Sequence, residues 1–198
     1  PVNTTITITP KANGCIGEPV EIAVTVKPSP VVDASFTNQI CSGEITDISL
    51  ASAVANTGFT WTVDAPAGIE GAINGSLAGE GTIEHELTNN TSQPQNVTYR
   101  IRPEAEGCTG STIPVVITVN PTPEFEVIEP EPICSPAELD LTSSEITVSS
   151  TSSLTFTYWN DEAATDEIDD PTTAKEGTYY IKATTNNDCY LIKPITVR

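Results

Sequence analysis

The chain lacks methionine and has one histidine and only eight basic residues among its 198. Its 27 acidic residues bring the formal net charge to −19, which argues against nucleic acid or anionic lipid as a partner, because both need a basic surface. No apolar run approaches the roughly 18 residues of a transmembrane helix. We therefore expect no nucleic-acid partner and no direct membrane insertion.

Motifs that carry catalysis are also missing. The sequence has no Gly-x-Ser-x-Gly turn, no phosphate-binding loop and no His-Glu-x-x-His pair. None of the five cysteines forms a Cys-x-x-Cys pair, and His85 is near none of them in sequence, so no zinc site is predicted. We expect a non-enzymatic protein with disulfides, located at the outer cell surface or outside the cell.

What the chain does contain is an internal repeat at an offset of 93 residues, the signature of a tandem array. Three segments recur without a gap: 13–17 as 106–110, 25–30 as 118–123, and 40–42 as 133–135. Pro1 already matches Pro94, so we expect residue 1 to fall inside a copy that begins upstream.

The repeat predicts three parts. Residues 1–29 would be the C-terminal hairpin of a preceding unit, residues 30–122 a complete unit, and residues 123–198 a shorter, different unit. The joints are Pro28-Ser29-Pro30 and Pro121-Thr122-Pro123, where each proline fixes its own φ and keeps the preceding residue extended. We expect stiff spacers between units arranged end to end.

The local pattern is period-two alternation rich in Thr, Val and Ile, which indicates half-buried strands. No segment shows a helical stripe, and proline and glycine punctuate short runs. The predicted fold class is all-β, with tandem antiparallel β-sandwich domains of immunoglobulin type. The predicted strands are 2–9, 19–27, 31–37, 44–51, 57–63, 82–88, 96–102, 112–119, 124–128, 137–142, 145–149, 154–160, 177–184 and 190–197.

The repeat also suggests a cysteine pairing. If each unit bonds its early cysteine to its late one, the pairs are Cys41–Cys108 and Cys134–Cys189, and the partner of Cys15 lies upstream. The rival pairing, Cys15–Cys41 and Cys108–Cys134, would bridge neighbouring units and leave Cys189 unpaired. We favour the first, because it places one bond in each unit's own core.

Several aromatic side chains are predicted to be structural. Trp61 shares a strand face with Phe59 and Val63 and should pack in the core, and His85 should be half-buried and non-catalytic. One of Tyr179 and Tyr180 should bond a turn in the manner of a tyrosine corner.

Trp159 is predicted to face away from Tyr158, its neighbour on the same strand. Large exposed aromatics are unusual, so we consider Trp159 and Tyr158 candidates for contact with a surface glycan or a protein.

The densest acidic cluster lies at residues 161–170. Calcium takes six to eight oxygen ligands, which makes Asp166, Asp169 and Asp170 a candidate Ca²⁺ site. The spacing matches no EF-hand loop, so the preferred interpretation is a solvated acidic loop and no cofactor.

The sequence resembles a known family. Cys41-Ser42-Gly43, Phe59-Thr60-Trp61-Thr62, Val97-Thr98-Tyr99 and Gly107-Cys108-Thr109-Gly110 are similar to PKD-like repeats of Bacteroidota surface proteins over residues 30–123. Residues 124–198 look like the Ig-like units that accompany them.

The resemblance implies a large adhesin that is released by type IX secretion and used in gliding motility or attachment. Its partners would be other domains of the same long chain and the secretion or attachment machinery. The alternative is a carbohydrate- or protein-binding accessory module of a secreted enzyme, with Trp159 and the loop 64–81 as the contact surface.

Overall fold

The structure is a computed structural model that describes residues 1–134 and 137–198. It is all-β, in multiple antiparallel sheets, as the alternation predicts. Of the helical segments in the described part of the chain, none has the length and hydropathy of a membrane span. Two hydrophobic cores form, one from residues between Val32 and Val119 and one from residues between Phe125 and Val197.

The chain begins with an antiparallel ribbon, which we call the N-terminal ribbon (residues 1–28). Its strands are β1 (Val2–Ile8), β2 (Lys11–Ala12), β3 (Cys15–Ile16) and β4 (Val20–Val26). β1 pairs with β4, and β2 pairs with β3 beyond them. Nearly every residue of the ribbon is exposed, including Ile6 and Ile22.

The central unit follows as a sandwich of twelve strands of very different length. They are β5 (Asp33–Ser35), β6 (Gln39–Cys41), β7 (Glu44–Ile45), β8 (Ile48–Ala51), β9 (Gly58–Asp64), β10 (Ile69–Glu70), β11 (Gly75–Leu77), β12 (Gly81–Ile83), β13 (Glu86–Asn89), β14 (Gln95–Ala105), β15 (Cys108–Thr109) and β16 (Ile113–Asn120). One sheet has the order β11-β9-β14-β16-β6, with β15 paired to β14; the strands β12-β8-β5 and β10-β13-β7 form two smaller sheets.

The core of the central unit is filled by alternate residues of both layers. Val97, Tyr99 and Ile101 of β14 have no exposed surface, and Ile48 and Leu87 bury theirs from the other layer. Full burial of such a side chain contributes about 1.5–3 kcal/mol, so β14 is the main hydrophobic strand of the unit.

The C-terminal unit is smaller. Its strands are β17 (Phe125–Val127), β18 (Thr147–Ser149), β19 (Thr155–Trp159), β20 (Gly177–Thr184) and β21 (Tyr190–Val197), with a 3₁₀ turn at Pro171–Thr173. β19, β20 and β21 form one sheet and β17 pairs with β18. The hydroxyl of Tyr179 donates to the carbonyl of Lys175 at 3.1 Å, which confirms the predicted tyrosine-corner bond.

The N-terminal ribbon has the same geometry as the segment β14 to β16, which follows it at an offset of 93 residues. The strand registers are equivalent, with Val2 opposite Val26 in the ribbon and Gln95 opposite Val119 in the central unit. The amides of Gly17 and Gly110 donate to the carbonyls of Pro10 and Pro103, respectively, at 2.9 Å each. The hydroxyls of Thr25 and Thr118 donate to the side chains of Asn3 and Asn96, at 2.8 Å and 2.9 Å. The two hairpins therefore share one register as well as one sequence pattern.

The predicted strand 137–142 does not form. Leu139 makes only an isolated bridge to Ala174, and the Asp140 carboxylate accepts hydrogen bonds from the amide (2.8 Å) and hydroxyl (2.6 Å) of Thr142. That side-chain turn competes with strand pairing. The short strand β6 was not predicted, and the glycine-rich segment, for which the sequence suggested a surface loop with one short strand, contains both β10 and β11.

Trp61 is buried in the core of the central unit, as predicted. Its indole Nε1 donates to the carbonyl of Ile73 at 3.0 Å, which holds the incoming end of β11 against β9. A Cβ atom at Gly75 would fall on the Trp61 ring, whereas a Cβ at Gly79 would meet nothing within 4 Å.

We predict that Gly75→Ala lowers the free energy of unfolding of the central unit by about 1–3 kcal/mol, because overpacking forces the ring or the strand to move. The matched control, Gly79→Ala, should stay within about 0.5 kcal/mol of the wild type. Urea unfolding followed by Trp61 fluorescence, in a Trp159→Phe background, measures both. Equal midpoints for the two variants would contradict the packing assigned to Trp61.

His85 is half-buried at the edge of the same core, as predicted, and its Nδ1 lies 2.9 Å from the hydroxyl of Tyr99. Burial lowers the pKa of His85 below its usual value and raises the pKa of Tyr99 to about 12. The folded unit therefore takes up a proton on His85 at lower pH than the unfolded chain does.

It follows that the stabilisation linked to neutral His85 is complete above a pH of about 6.5, the unfolded-state pKa, and is lost as pH falls through the lower folded-state pKa. We predict that His85→Gln reduces the loss of stability between pH 7 and pH 5. Urea midpoints at the two pH values, read from Trp61, measure the difference. An identical pH dependence in the variant would show that carboxylates alone set the acid response.

Candidate functional site: the joint between the central and C-terminal units

The most distinctive contact in the structure is a disulfide that joins the two units. Cys41 ends β6 of the central unit, Cys189 precedes β21 of the C-terminal unit, and their Cα atoms are 5.5 Å apart. The two cysteines are 148 residues apart in sequence. The bond therefore closes a covalent loop around the Pro121-Thr122-Pro123 joint.

The predicted pairs Cys41–Cys108 and Cys134–Cys189 are wrong in this structure. β6 runs parallel to β16 with Cys41 opposite Asn120, whereas Cys108 pairs with Ala105 at the other end of β14. The ten residue steps of β14 put about 34 Å between those ends. A disulfide requires Cα atoms within about 7 Å, so Cys41 cannot reach Cys108.

A similar separation excludes the second predicted pair. The amide of Ile133 donates to the carbonyl of Arg198, which places the neighbouring Cys134 near the end of β21, while Cys189 lies just before its start. Cys15, Cys108 and Cys134 are free thiols; Cys15 and Cys134 are exposed and Cys108 is partly covered. The rival pairing of Cys15 with Cys41 is equally absent.

A pair of asparagines lies beside the disulfide. Asn120 is buried, with 3% of its surface exposed, and its Nδ2 donates to the carbonyl of Ile40 at 3.3 Å. Its Oδ1 accepts from Nδ2 of Asn187 at 3.0 Å, across the joint. Its backbone carbonyl accepts from the amide of Ser42 at 2.8 Å. Asn120 thus bonds both units and the segment that carries Cys41.

A second buried asparagine holds the same end of the central unit. Nδ2 of Asn89 donates to the carbonyls of Gln93 and Val119 at 2.8 Å each, and its backbone amide donates to the Ser42 hydroxyl at 2.9 Å. Its Oδ1 accepts from the amide and hydroxyl of Thr91. Buried amides are costly unless paired, so these bonds fix the end of β13 against the end of β16.

A groove of about 570 Å³ lies along the joint. Hydroxyl and amide side chains line much of it, among them Thr91, Gln93, Asn120, Ser152, Thr185 and Asn187. The joint is therefore a polar, partly open contact rather than a continuous hydrophobic core.

Trp159 and Tyr158, the predicted ligand contacts, do not line this groove. Both are half-buried, and Nε1 of Trp159 donates to the Thr157 hydroxyl at 2.9 Å on its own strand. Burial, with the charge of Asp140, raises the pKa of Tyr158. A ligand role for the two aromatics stays a prediction, and so does the contact role of loop 64–81.

Carboxylates of the acidic segment accept hydrogen bonds from residues nearby in the sequence. The carboxylate of Asp161 accepts from the amide of Asp166 and from the hydroxyl and amide of Thr165, and Asp170 caps the 3₁₀ turn through Thr172. These bonds lower the pKa of both carboxyls. The described residues contain no group of three ligating side chains placed to hold a metal ion. Calcium binding by Asp166, Asp169 and Asp170 stays a prediction.

We predict that Cys189→Ser destabilises the C-terminal unit and leaves the central unit unchanged. Because Cys41 and Asn120 are fixed side by side in the folded central unit, the bond closes an effective loop of about 70 residues when the C-terminal unit unfolds. Such a loop is worth about 4 kcal/mol in the chain-entropy model. The Tm of the C-terminal unit, followed by Trp159 fluorescence in a Trp61→Phe background, should fall by on the order of 25 °C.

Cys108→Ser is the matched control, because it also removes a thiol but breaks no bond in this chain. Its Tm should equal that of the wild type. A shift as large as that of Cys189→Ser, or no shift in either variant, would contradict the assignment of the bond.

Comparison with known proteins agrees with this architecture in the central unit. Residues 38–123 match the family model described as the PKD-like domain. A comparison with curated proteins finds no match.

Among solved structures, the chain is similar to the chicken CNTN1 FN1-FN3 domains, with 12% identity and a TM-score of 0.37, over 99% of this chain and 77% of that chain. A score that low does not establish a common fold. The family match is confined to residues 38–123, and PKD-like domains are typically non-catalytic structural or binding modules.

Proposed function

We propose that the chain is a load-bearing segment of an extracellular surface protein, in which covalent joints carry tension from unit to unit. The observation that carries the proposal is the Cys41–Cys189 bond across the joint. A bond within one unit would stabilise that unit alone, whereas this one joins two.

The bond changes the path that a force would follow along the chain. Tension applied at the two ends would pass from Cys41 directly to Cys189, and residues 42–188 would lie outside the loaded path. Those residues include most of both hydrophobic cores, whereas Val32 and Ile40 of the central core and Ile195 and Val197 of the C-terminal core stay on the loaded path. The parts of both sandwiches between residues 42 and 188 are therefore shielded from unfolding by stretch for as long as the disulfide is intact.

The joint also resists bending. Two prolines restrict the backbone of the linker, the disulfide adds a second covalent connection, and Asn120 bonds Asn187 beside it. The net charge of −19 would keep neighbouring copies from associating. These features suit a stalk that holds a distal part of a long protein away from its anchor.

The finer assignment rests on sequence resemblance. A Bacteroidota adhesin, exported by type IX secretion and used in gliding or attachment, would place the chain in an oxidising exterior where such a disulfide persists. Its partners would be neighbouring domains of the same chain and the attachment machinery, with a surface glycan or protein as ligand.

Single-molecule stretching tests the mechanical role. With handles at Pro1 and Arg198, the oxidised chain should release only the ribbon and the short segments outside the loop. After reduction, residues 42–188 should unfold and release up to about 500 Å of additional length.

Cys189→Ser should behave like the reduced protein both before and after reduction, and Cys108→Ser should behave like the wild type. If the oxidised wild type released the full length, the load would not pass through the bond and the proposed role would be wrong.

A further inference from the structure

The N-terminal ribbon presents core-forming positions without a core. Ile6 and Ile22 stand at the repeat positions of Tyr99 and Val115, which are 0% and 1% exposed in the central unit. In the ribbon the two isoleucines are 50% and 45% exposed. In the central unit that face is covered by β8, β12 and β13, strands that come earlier in the repeat than the hairpin does. The segment that fits the ribbon is therefore the first part of the same unit.

The contact between the ribbon and the central unit repeats the contact at the second joint. Lys27 is 93 residues before Asn120, and its Nζ donates to the carbonyl of Glu106 at 3.0 Å and lies 3.5 Å from the Glu106 carboxylate. At the second joint the bond connects the equivalent places with the donor on the other side, because Oδ1 of Asn120 accepts from Nδ2 of Asn187. Glu106 and Asn187 each lie two residues before a cysteine, Cys108 and Cys189 respectively.

Those cysteines occupy the same place in their hairpins. Cys108 and Cys189 each follow the turn that joins two long antiparallel strands, and Cys15 does so in the ribbon. The residue before each cysteine has a positive φ: Gly14 at 85°, Gly107 at 79° and Asp188 at 62°. Cys108 therefore lies where the central unit meets the part of the chain before it, just as Cys189 lies where the C-terminal unit meets the central unit.

The bonded partner of Cys189 also has a fixed place in the repeat. Cys41 is the residue opposite Asn120 in the parallel pairing of β6 with β16. A strand added beside β4 in the same way would place its own cysteine opposite Lys27, and Lys27 already contacts the turn that precedes Cys108.

We propose that Cys108 forms a disulfide with a cysteine 93 positions before Cys41, in the first part of the unit that the N-terminal ribbon completes. Each joint of the array would then carry the bond seen at the second joint, and Cys134, the repeat counterpart of Cys41, would bond the hairpin cysteine of a following unit. The inference extends the proposed function from one joint to every joint, but the pairing can be tested without any load.

The chemistry is an ordinary oxidation of two thiols. Two Cys–SH groups lose two protons and two electrons to a small disulfide such as oxidised glutathione, which leaves as two thiols by two exchange steps. The partly covered Cys108 needs only a thiol held within disulfide distance, and the Lys27 contact holds the two units together at that place.

The test is an extended chain that carries a complete preceding unit. Because Pro1 matches Pro94, residues 30–93 joined ahead of Pro1 restore the order of the repeat. Asn38→Gln in the added segment, at an exposed side chain, distinguishes the added copy of Cys41 by mass from the original. The protein is oxidised with glutathione, its free thiols are alkylated, and its linked peptides are mapped without reduction.

The expected map links the added copy of Cys41 to Cys108 and the original Cys41 to Cys189, with Cys15 and Cys134 alkylated. Replacing the added copy of Cys41 by serine should return Cys108 to the alkylated set. A link from the added copy to Cys15, the pairing within one unit, would overturn the inference, and so would an alkylated Cys108 in the extended chain.

The original Cys41–Cys189 link reports in the same map that the joint has formed. If that link is present and Cys108 is free, the proposed load-bearing joint stands while its repetition fails. If a chain extended by residues 30–93 did not fold, the same map of the longer natural protein would decide between a linked and a free Cys108.

Discussion

The arrangement of the two units depends on the parallel pairing of β6 with β16 at the edge of the central sheet. Antiparallel pairs build the rest of that sheet, but this one parallel pairing brings a residue from the start of the unit beside the residue at its end, Cys41 opposite Asn120. The joint to the next unit begins at Pro121. A cysteine at that strand end therefore faces the neighbouring unit and not the interior of its own.

Several features of the joint follow from that placement. Asn120 bonds Ile40 within the central unit and Asn187 across the joint, and Asn89 satisfies the carbonyls at the ends of the adjoining strands. The polar ends of the strands are paired with each other instead of with water, so the end of the sandwich is rigid. The disulfide then joins two preformed surfaces, which is the arrangement in which a covalent link transmits force without distorting either core.

Much of the secondary structure was predictable, because alternation of apolar and polar residues is read directly from the chain. The long strands β9, β14, β16, β20 and β21 were predicted close to their observed bounds, as were the burial of Trp61 and the bond of Tyr179. The failures have local causes. Asp140 turns the chain onto Thr142 where a strand was expected, and β6 has only three residues, too few for alternation to be visible.

The order and spacing of the residues were enough to identify the repeat and to predict most of the long strands. In the structure, the ribbon has the same strand register as β14 and β16. Only the tertiary structure decided which cysteines meet. Disulfide formation depends on a Cα separation of a few ångströms, and the length of β14 moves Cys108 away from Cys41 while the edge strand β6 brings Cys41 to Cys189 in the next unit.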